Sequence, residues 1–214
     1  IIQRYDYQRL IHVVYNCPVT TGCNSELNLR EQLQIDDKKL LGVYLGRSTE
    51  LRGLNAVIPL LQYRDDVHFA IVSNGDKNYL NNLRSLAAET GVSERLHILP
   101  YVSHEAVVPY ISRCDFALSL LASYGNTENC VPTKVMEYLA AGIPTVVSPT
   151  RLQKRFVQEN QVGAVIEEPM DPALLSMAID TARAEYSPPL GLKESYSWEA
   201  QFKPVLEAIQ ANSI

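Results

Sequence analysis

The stretch VPTKVMEYLAAGIPTVVS, residues 131–148, holds a complete helix-to-strand unit. Pro132 and Thr133 suit a helix start, since proline has no N–H to leave unsatisfied there and its φ is already helical. At about 100° per residue, Val135, Met136, Leu139 and Ala140 fall on one apolar arc, with Thr133, Lys134 and Glu137 on the remainder. Gly142 reads as the stop with Pro144 beyond it, and the apolar run that follows reads as a strand buried on both faces. Glu137 is the exception, an acid in a largely apolar helix. A carboxylate near a helix start gains from the dipole, which is a wholly structural reason for it. The same turn offers free N–H groups to an anion, and a carboxylate accepts two hydrogen bonds, which suits a vicinal diol such as a ribose. The helix alone leaves both readings open.

The alternation continues in both directions. LLGVYLG (40–46), VHFAIVSNG (67–75), RLHILPYV (95–102) and DFALSLL (115–121) read as strands. TELRGLNAVIPLLQY (49–63), KNYLNNLRSLAAETG (77–91, stopping at Gly91) and SHEAVVPYISRC (103–114, with Ser103 as N-cap) read as helices. So do TRLQKRFVQEN (150–160), DPALLSMAIDTARAEY (171–186, with Pro172 in its first turn) and, after a Pro- and Ser-rich joint at 187–196, SWEAQFKPVLEAI (197–209). Near the start, HVVYN (12–16) reads as a strand and NLREQLQI (28–35) as a short helix. Alternating strands and helices predict an α/β fold with a doubly wound, Rossmann-like parallel sheet, whose ligands bind at the carboxyl ends of the strands.

With 214 residues, 46% of them hydrophobic, the chain can bury one sizeable core. It has no apolar run near the roughly 20 residues that span a bilayer. A net charge of -5 argues against nucleic acid as a partner. Cys17, Cys23, Cys114 and Cys130 show neither CxxC spacing nor a histidine at a zinc-ligand offset, so no metal site is expected, and they read as buried thiols of a reducing cytosol. The opening residues lack a secretory apolar segment and an initiator Met, which suggests a processed chain or an excised domain. His12, His68 and His97 lie in strand-like runs and read as core or flank; His104 opens a helix and is ambiguous. Walker A, HExxH, DxD and GxGxxG patterns are all absent from the sequence.

Two further constellations fall at strand-to-helix turns. In GRSTELRG (46–53), Arg47 and Arg52 follow Gly46 at the carboxyl edge of the sheet. Two permanently charged, bidentate donors there suit a diphosphate; the alternative is a pair of solvated arginines balanced by Glu50. The turn ASYGNTENCVP (122–132) carries Gly125, Asn126, Glu128 and Asn129 and reads either as a functional loop or as a solvated connector.

Together these stretches resemble the C-terminal half of a GT-B glycosyltransferase of group 1 (family 4). VYLGRSTELRGL (43–54) is similar to that family's strand and Gly-Arg–x4–Lys-Gly segment, with Arg52 in the Lys place. VSNGD (72–76), LHILPYVSHEAVVPYISRCDFALSLL (96–121), PTKVMEYLAAGIPTVVS (132–148) and ENQVGAVIEEPMDPALLSMAI (159–179) resemble its later segments in order and spacing, over about residues 40–212. The family carries a second Glu eight residues before the helix Glu; this chain has Asn129 there, with Glu128 beside it.

The resemblance implies a single GT-B half-domain that binds a nucleotide-diphosphate sugar, such as a UDP- or GDP-sugar, for retaining transfer without a metal or other cofactor. Arg47, Arg52 and Glu137 carry the main roles: the arginines hold the diphosphate, helped by the N–H groups near Thr133 and by Lys134, and Glu137 holds the ribose. The backbone of Tyr101 and Val102 meets the base, Gly46 lines the phosphate turn, and Glu128 and Asn129 fall near the donor sugar. Residues 1–40 are expected to be an interdomain linker, in which HVVYNCP resembles the family's IPNG passage. Residues 41–196 form the nucleotide-sugar domain, and residues 197–214 a helix crossing to a missing N-terminal acceptor domain. The family further implies a cytoplasmic enzyme of surface polysaccharide or glycoconjugate synthesis, with peripheral association of the parent protein at the inner face of the membrane left open. A non-catalytic nucleotide- or partner-binding module is the alternative. An epimerase of the same fold is a third reading, and its acidic catalytic residues are not apparent.

Overall fold

A computed structural model describes residues 11–19 and 28–211. Its strands are β1 (Leu40–Leu45), β2 (Val67–Val72), β3 (Leu96–Leu99), β4 (Phe116–Ser119), β5 (Thr145–Val147) and β6 (Gly163–Val165). They form one parallel sheet in the order β3-β2-β1-β4-β5-β6. The order reverses between β1 and β4, which is the switch point of a doubly wound sheet. The helices are α1 (Leu29–Leu33), α2 (Val57–Tyr63), α3 (Lys77–Glu89), α4 (His104–Ile111), α5 (Thr133–Ala141), α6 (Arg151–Glu159), α7 (Pro172–Ala184), α8 (Leu192–Ser195) and α9 (Trp198–Ala211). Among the described residues, no helix is long and apolar enough to cross a membrane.

Strand alternation sorts β1 between two cores. Tyr44 joins Phe69, Ile71 and Phe116 beneath α2, α3 and α7, while Leu41, Val43 and Leu45 pack against α1, α4 and Tyr138. Each fully buried Leu, Ile or Phe contributes roughly 2 kcal/mol of transfer free energy. Gly42 is the gap that admits two rings: a Cβ there would lie 2.3 Å from Phe116 and 2.6 Å from Phe69.

Two polar fixtures brace the sheet. At its amino edge the Arg30 guanidinium is buried, donating to the carbonyls of Asp36 (2.9 Å), Arg113 (3.1 Å) and Lys39 (3.2 Å) and to the Asp115 carboxylate. That carboxylate also accepts the Leu41 N–H at 2.7 Å, so α1, β1 and β4 share one node. At the carboxyl edge β1 and β4 part company, their pairing covering only Gly42 and Val43. There the Tyr138 hydroxyl accepts from Leu45 N–H at 3.0 Å and donates to the Leu118 carbonyl at 3.4 Å. This hooks α5 between the diverging strands.

The helix-to-strand unit at 131–148 forms as its signals predict. Gly142 ends α5 in the left-handed region (φ 79°), with its N–H and that of Ile143 returning to Leu139 and Tyr138. Asp171 and Pro172 start α7, with the Asp171 carboxylate accepting two N–H groups. Elsewhere the structure differs from expectation. HVVYN is irregular rather than a strand: Val13 is exposed, and the segment is tied by side chains, Tyr15 N–H to Gln201 and Asn16 to Thr133. The 49–63 helix begins as two 3-10 turns around Gly53 (φ 67°), because the Leu51 carbonyl accepts the Ala122 N–H from the loop after β4. Strand β3 stops at Leu99, ahead of Pro100, which has no N–H to donate. Ser103 holds the cap position of α4 without a side-chain cap bond. β6 is a strand that the alternation did not single out, and α8 lies inside the expected joint at 187–196. Leu29 and Ile35, ahead of residue 41, are buried in the second core. Cys23 and residues 1–10 lie outside the described residues.

Candidate functional site

At the switch point a cleft of about 290 Å³ opens on the carboxyl edge of the sheet. Its walls come from the β1 turn (Gly46, Arg47, Arg52), the turn into α4 (Tyr101, His104), the first turns of α5 (Thr133, Lys134, Glu137) and Asn16 of the amino-terminal segment. The loops are locked to each other. The buried Ser48 donates its N–H to Ser73 Oγ at 3.1 Å, and the Ser73 hydroxyl donates to Ser48 Oγ at 2.9 Å. Gly75 is required beside them, since a Cβ would stand 2.3 Å from Ser48 N. The Tyr44 hydroxyl holds the Arg47 carbonyl at 2.7 Å. Asn16 Nδ2 donates to Thr133 Oγ1 at 2.8 Å, which sets the amino-terminal segment against the start of α5.

The electrostatics of the cleft are unbalanced. Arg47 is exposed and Arg52 half-buried, and among the described residues neither forms an ion pair, with Glu50 or with any other carboxylate. Among the described residues no side chain caps α5, so its first-turn N–H groups add positive potential to the same wall. Lys134 sets its Nζ 3.6 Å from the centroid of the Tyr44 ring. Burial pushes that amine well below the usual lysine range, the Arg52 charge pushes the same way, and Glu137 opposes them. Glu137 is 5% exposed, with His104 Nδ1 4.0 Å from its carboxylate. Among the described residues no hydrogen bond reaches that carboxylate, and burial raises its pKa against the opposing pull of His104 and Lys134. Tyr101 stands edge-on to His104, their ring centres 5.8 Å apart; burial and the charge of Glu137 raise its phenol to about 12.

Seven of the sequence candidates, Gly46, Arg47, Arg52, Tyr101, Thr133, Lys134 and Glu137, line this one cleft. Val102 packs its side chain into the second core beside Tyr101. Glu128 and Asn129 stand elsewhere, on a 3-10 turn (Gly125–Asn129) at the head of α6. Glu128 accepts the Arg151 N–H at 2.8 Å and the Ser123 hydroxyl, and Asn129 accepts from the Arg151 guanidinium. Two polar residues of the cleft, His104 and Asn16, have no role assigned by the sequence. His104 sits one residue into its helix and carries no pattern of its own. Asn16 meets Thr133 across 117 residues of chain, a contact no local signal announces. Among the described residues no group of three His, Cys, Asp or Glu side chains is placed to hold a metal ion.

The fold is that of the C-terminal half of a GT-B glycosyltransferase. Residues 25–191 match the family described as glycosyl transferases group 1, and the chain belongs to that family. No curated protein sequence matches it. Among solved structures, the chain shares its fold with Anabaena Alr3699/HepE in complex with UDP (TM-score 0.62, 15% identity, 86% of this chain and 51% of that one). It does so equally with the lipopolysaccharide outer core galactosyltransferase WaaB (TM-score 0.62, 16% identity, 92% and 54%). It also covers 89% of the C-terminal domain of a group 1 glycosyl transferase (LpcC) from Francisella tularensis, with 78% of its own length, a TM-score of 0.55 and 14% identity. The chain spans about half the length of HepE and WaaB.

Proposed function

We propose that this chain binds the nucleotide-diphosphate-sugar donor of a retaining glycosyltransferase. Arg47 and Arg52 hold the diphosphate with the first-turn N–H groups of α5, Glu137 accepts from the ribose hydroxyls, and Tyr101 with the backbone at Val102 meets the base. The observation that carries this reading is Glu137, a nearly buried carboxylate that no hydrogen-bond donor reaches among the described residues, in the same cleft as Arg47 and Arg52, which form no ion pair there. A nucleoside diphosphate supplies both missing partners, hydroxyl donors for the acid and negative charge for the arginines. Family membership supports it, as do the UDP and UDP-glucose complexes of HepE, whose fold the chain shares. As the bond from sugar to diphosphate breaks, charge grows on the departing phosphate, and fixed cations with a helix terminus stabilise it without a metal.

Transfer is completed with an acceptor-binding domain, toward which α9 presents exposed Trp198, Phe202 and Leu206. The setting we propose is cytoplasmic, at the inner face of the membrane, in surface polysaccharide or glycoconjugate synthesis. Titration calorimetry with UDP-, GDP- and ADP-sugars tests the donor site. We expect saturable binding of one nucleotide class, weakened about 30-fold or more in Glu137→Ala and in Arg47→Ala. An absence of binding by every sugar nucleotide at millimolar concentration overturns it. A second reading, binding without transfer, is favoured by the engagement of Glu128 and Asn129 with Arg151, away from the cleft.

A further inference from the structure

The Lys134 side chain is more than another cation in the cleft. Its stem is half-buried, its Nζ lies over the face of Tyr44, and a Cβ at Gly46 would come within 3.8 Å of it. Among the described residues no carboxylate or hydrogen-bond acceptor lies within bonding reach of the amine. The charged groups that bear on it are Arg52 from the β1 turn and Glu137 from its own helix; Arg47, Tyr101 and His104 complete the charged and titratable groups of the cleft. Arg52 and burial disfavour an ammonium at this place, and only Glu137 and the ring face favour one.

A diphosphate seated between Arg52 and the first turn of α5 reverses that balance. Its negative charges arrive beside the amine, and the ammonium gains both a counter-charge and acceptors. Resting on the donor-site reading above, we propose that binding of a sugar nucleotide's diphosphate draws one proton from solvent onto the Lys134 amine. The bond formed is N–H and the proton comes from water or buffer; no covalent bond of the ligand changes. Donor affinity then falls as pH rises from the free amine's lowered range toward its raised range in the complex, because the proton needed for binding becomes scarcer. Burial and Arg52 already hold the amine well below its usual range in the free chain, which agrees with this direction.

The test is calorimetry of the sugar nucleotide that binds best, at about pH 8, in buffers of different ionisation enthalpy. There the diester-like diphosphate carries no titrating proton of its own. The slope of observed heat against buffer enthalpy counts protons taken up. We expect a positive slope, net proton uptake on binding, for the native chain. Lys134→Arg, which is charged at every working pH, is expected to bind with a slope near zero, and Lys134→Met to bind about tenfold more weakly with a slope near zero. Binding without proton uptake in the native chain, or uptake that persists in Lys134→Arg, overturns the proposal while leaving the donor site standing. Failure of every sugar nucleotide to bind the native chain overturns the donor site itself, and this inference with it.

Discussion

Arg30 and Glu137 are equally withdrawn from solvent, each 5% exposed, at opposite edges of one sheet. Arg30 has three carbonyls and a carboxylate around it. Glu137 has a histidine 4.0 Å away and, among the described residues, no hydrogen bond. A buried charge whose partners are all supplied by the chain fastens elements together. One whose partners are missing keeps its capacity for something from outside. The same sheet therefore closes its amino edge as scaffold and leaves its carboxyl edge chemically incomplete.

The largest test of this contrast removes the scaffold charge. Arg30→Ala strands Asp115 and the carbonyls around it, and a drop of about 3 kcal/mol in unfolding free energy is expected, read from the urea midpoint at unchanged slope. The fraction still folded should bind sugar nucleotide as the native chain does. A loss under about 1 kcal/mol would show that the node is not what joins α1, β1 and β4.

Glu137→Gln should do the opposite. The substitution keeps the shape and removes an unpartnered acid, so stability at neutral pH is expected to stay level or rise while nucleotide affinity falls about 30-fold. The sign follows from its raised pKa. A folded-state pKa above the unfolded value means the unfolded chain ionises first, so stability declines as pH climbs from the unfolded pKa through the folded one. Glutamine abolishes that decline. A destabilised variant with intact affinity would reverse the comparison.

The scaffold edge and the cleft were legible to different depths in the sequence. Gly142, Pro172 and the alternating apolar runs report local backbone choices, so α5, α7 and the parallel, doubly wound class of the sheet can be read from short windows. The Arg30 node, the Tyr138 hook and the Asn16–Thr133 contact are made between segments far apart, with nothing local to mark them. Glu128 and Asn129 show the converse. Their offset from Glu137 places them near the same helix, yet the 3-10 turn, held by Thr127 Oγ1 accepting from Tyr124 N–H, presents them to Arg151 instead. The start of α2 was misread because propensity favours a helix from residue 49, while a tertiary bond from Ala122 and the conformation of Gly53 bend the chain.

The smallest expected effect separates the scaffold from the cleft by pH alone. His68 Nδ1 and His97 Nε2 lie 3.2 Å apart with their rings 10° from parallel, on adjacent strands away from the cleft. Such a contact shares a proton between neutral rings and opposes charging both. Burial lowers His97 to about 4, with the charge of His68 adding to it, and burial with Arg95, Lys39 and Arg30 lowers His68. Their unfolded pKa is about 6.5, so below it the unfolded chain binds protons first. The stability they contribute is complete above about pH 6.5 and is lost as pH falls toward the folded values. His97→Phe keeps the bulk and removes the titration, so its unfolding free energy should fall less steeply than the native chain's between pH about 6.5 and 5. That interval lies above the range in which ordinary carboxylates dominate. Equal slopes in the two proteins would mean that the paired imidazoles do not set the acid limb.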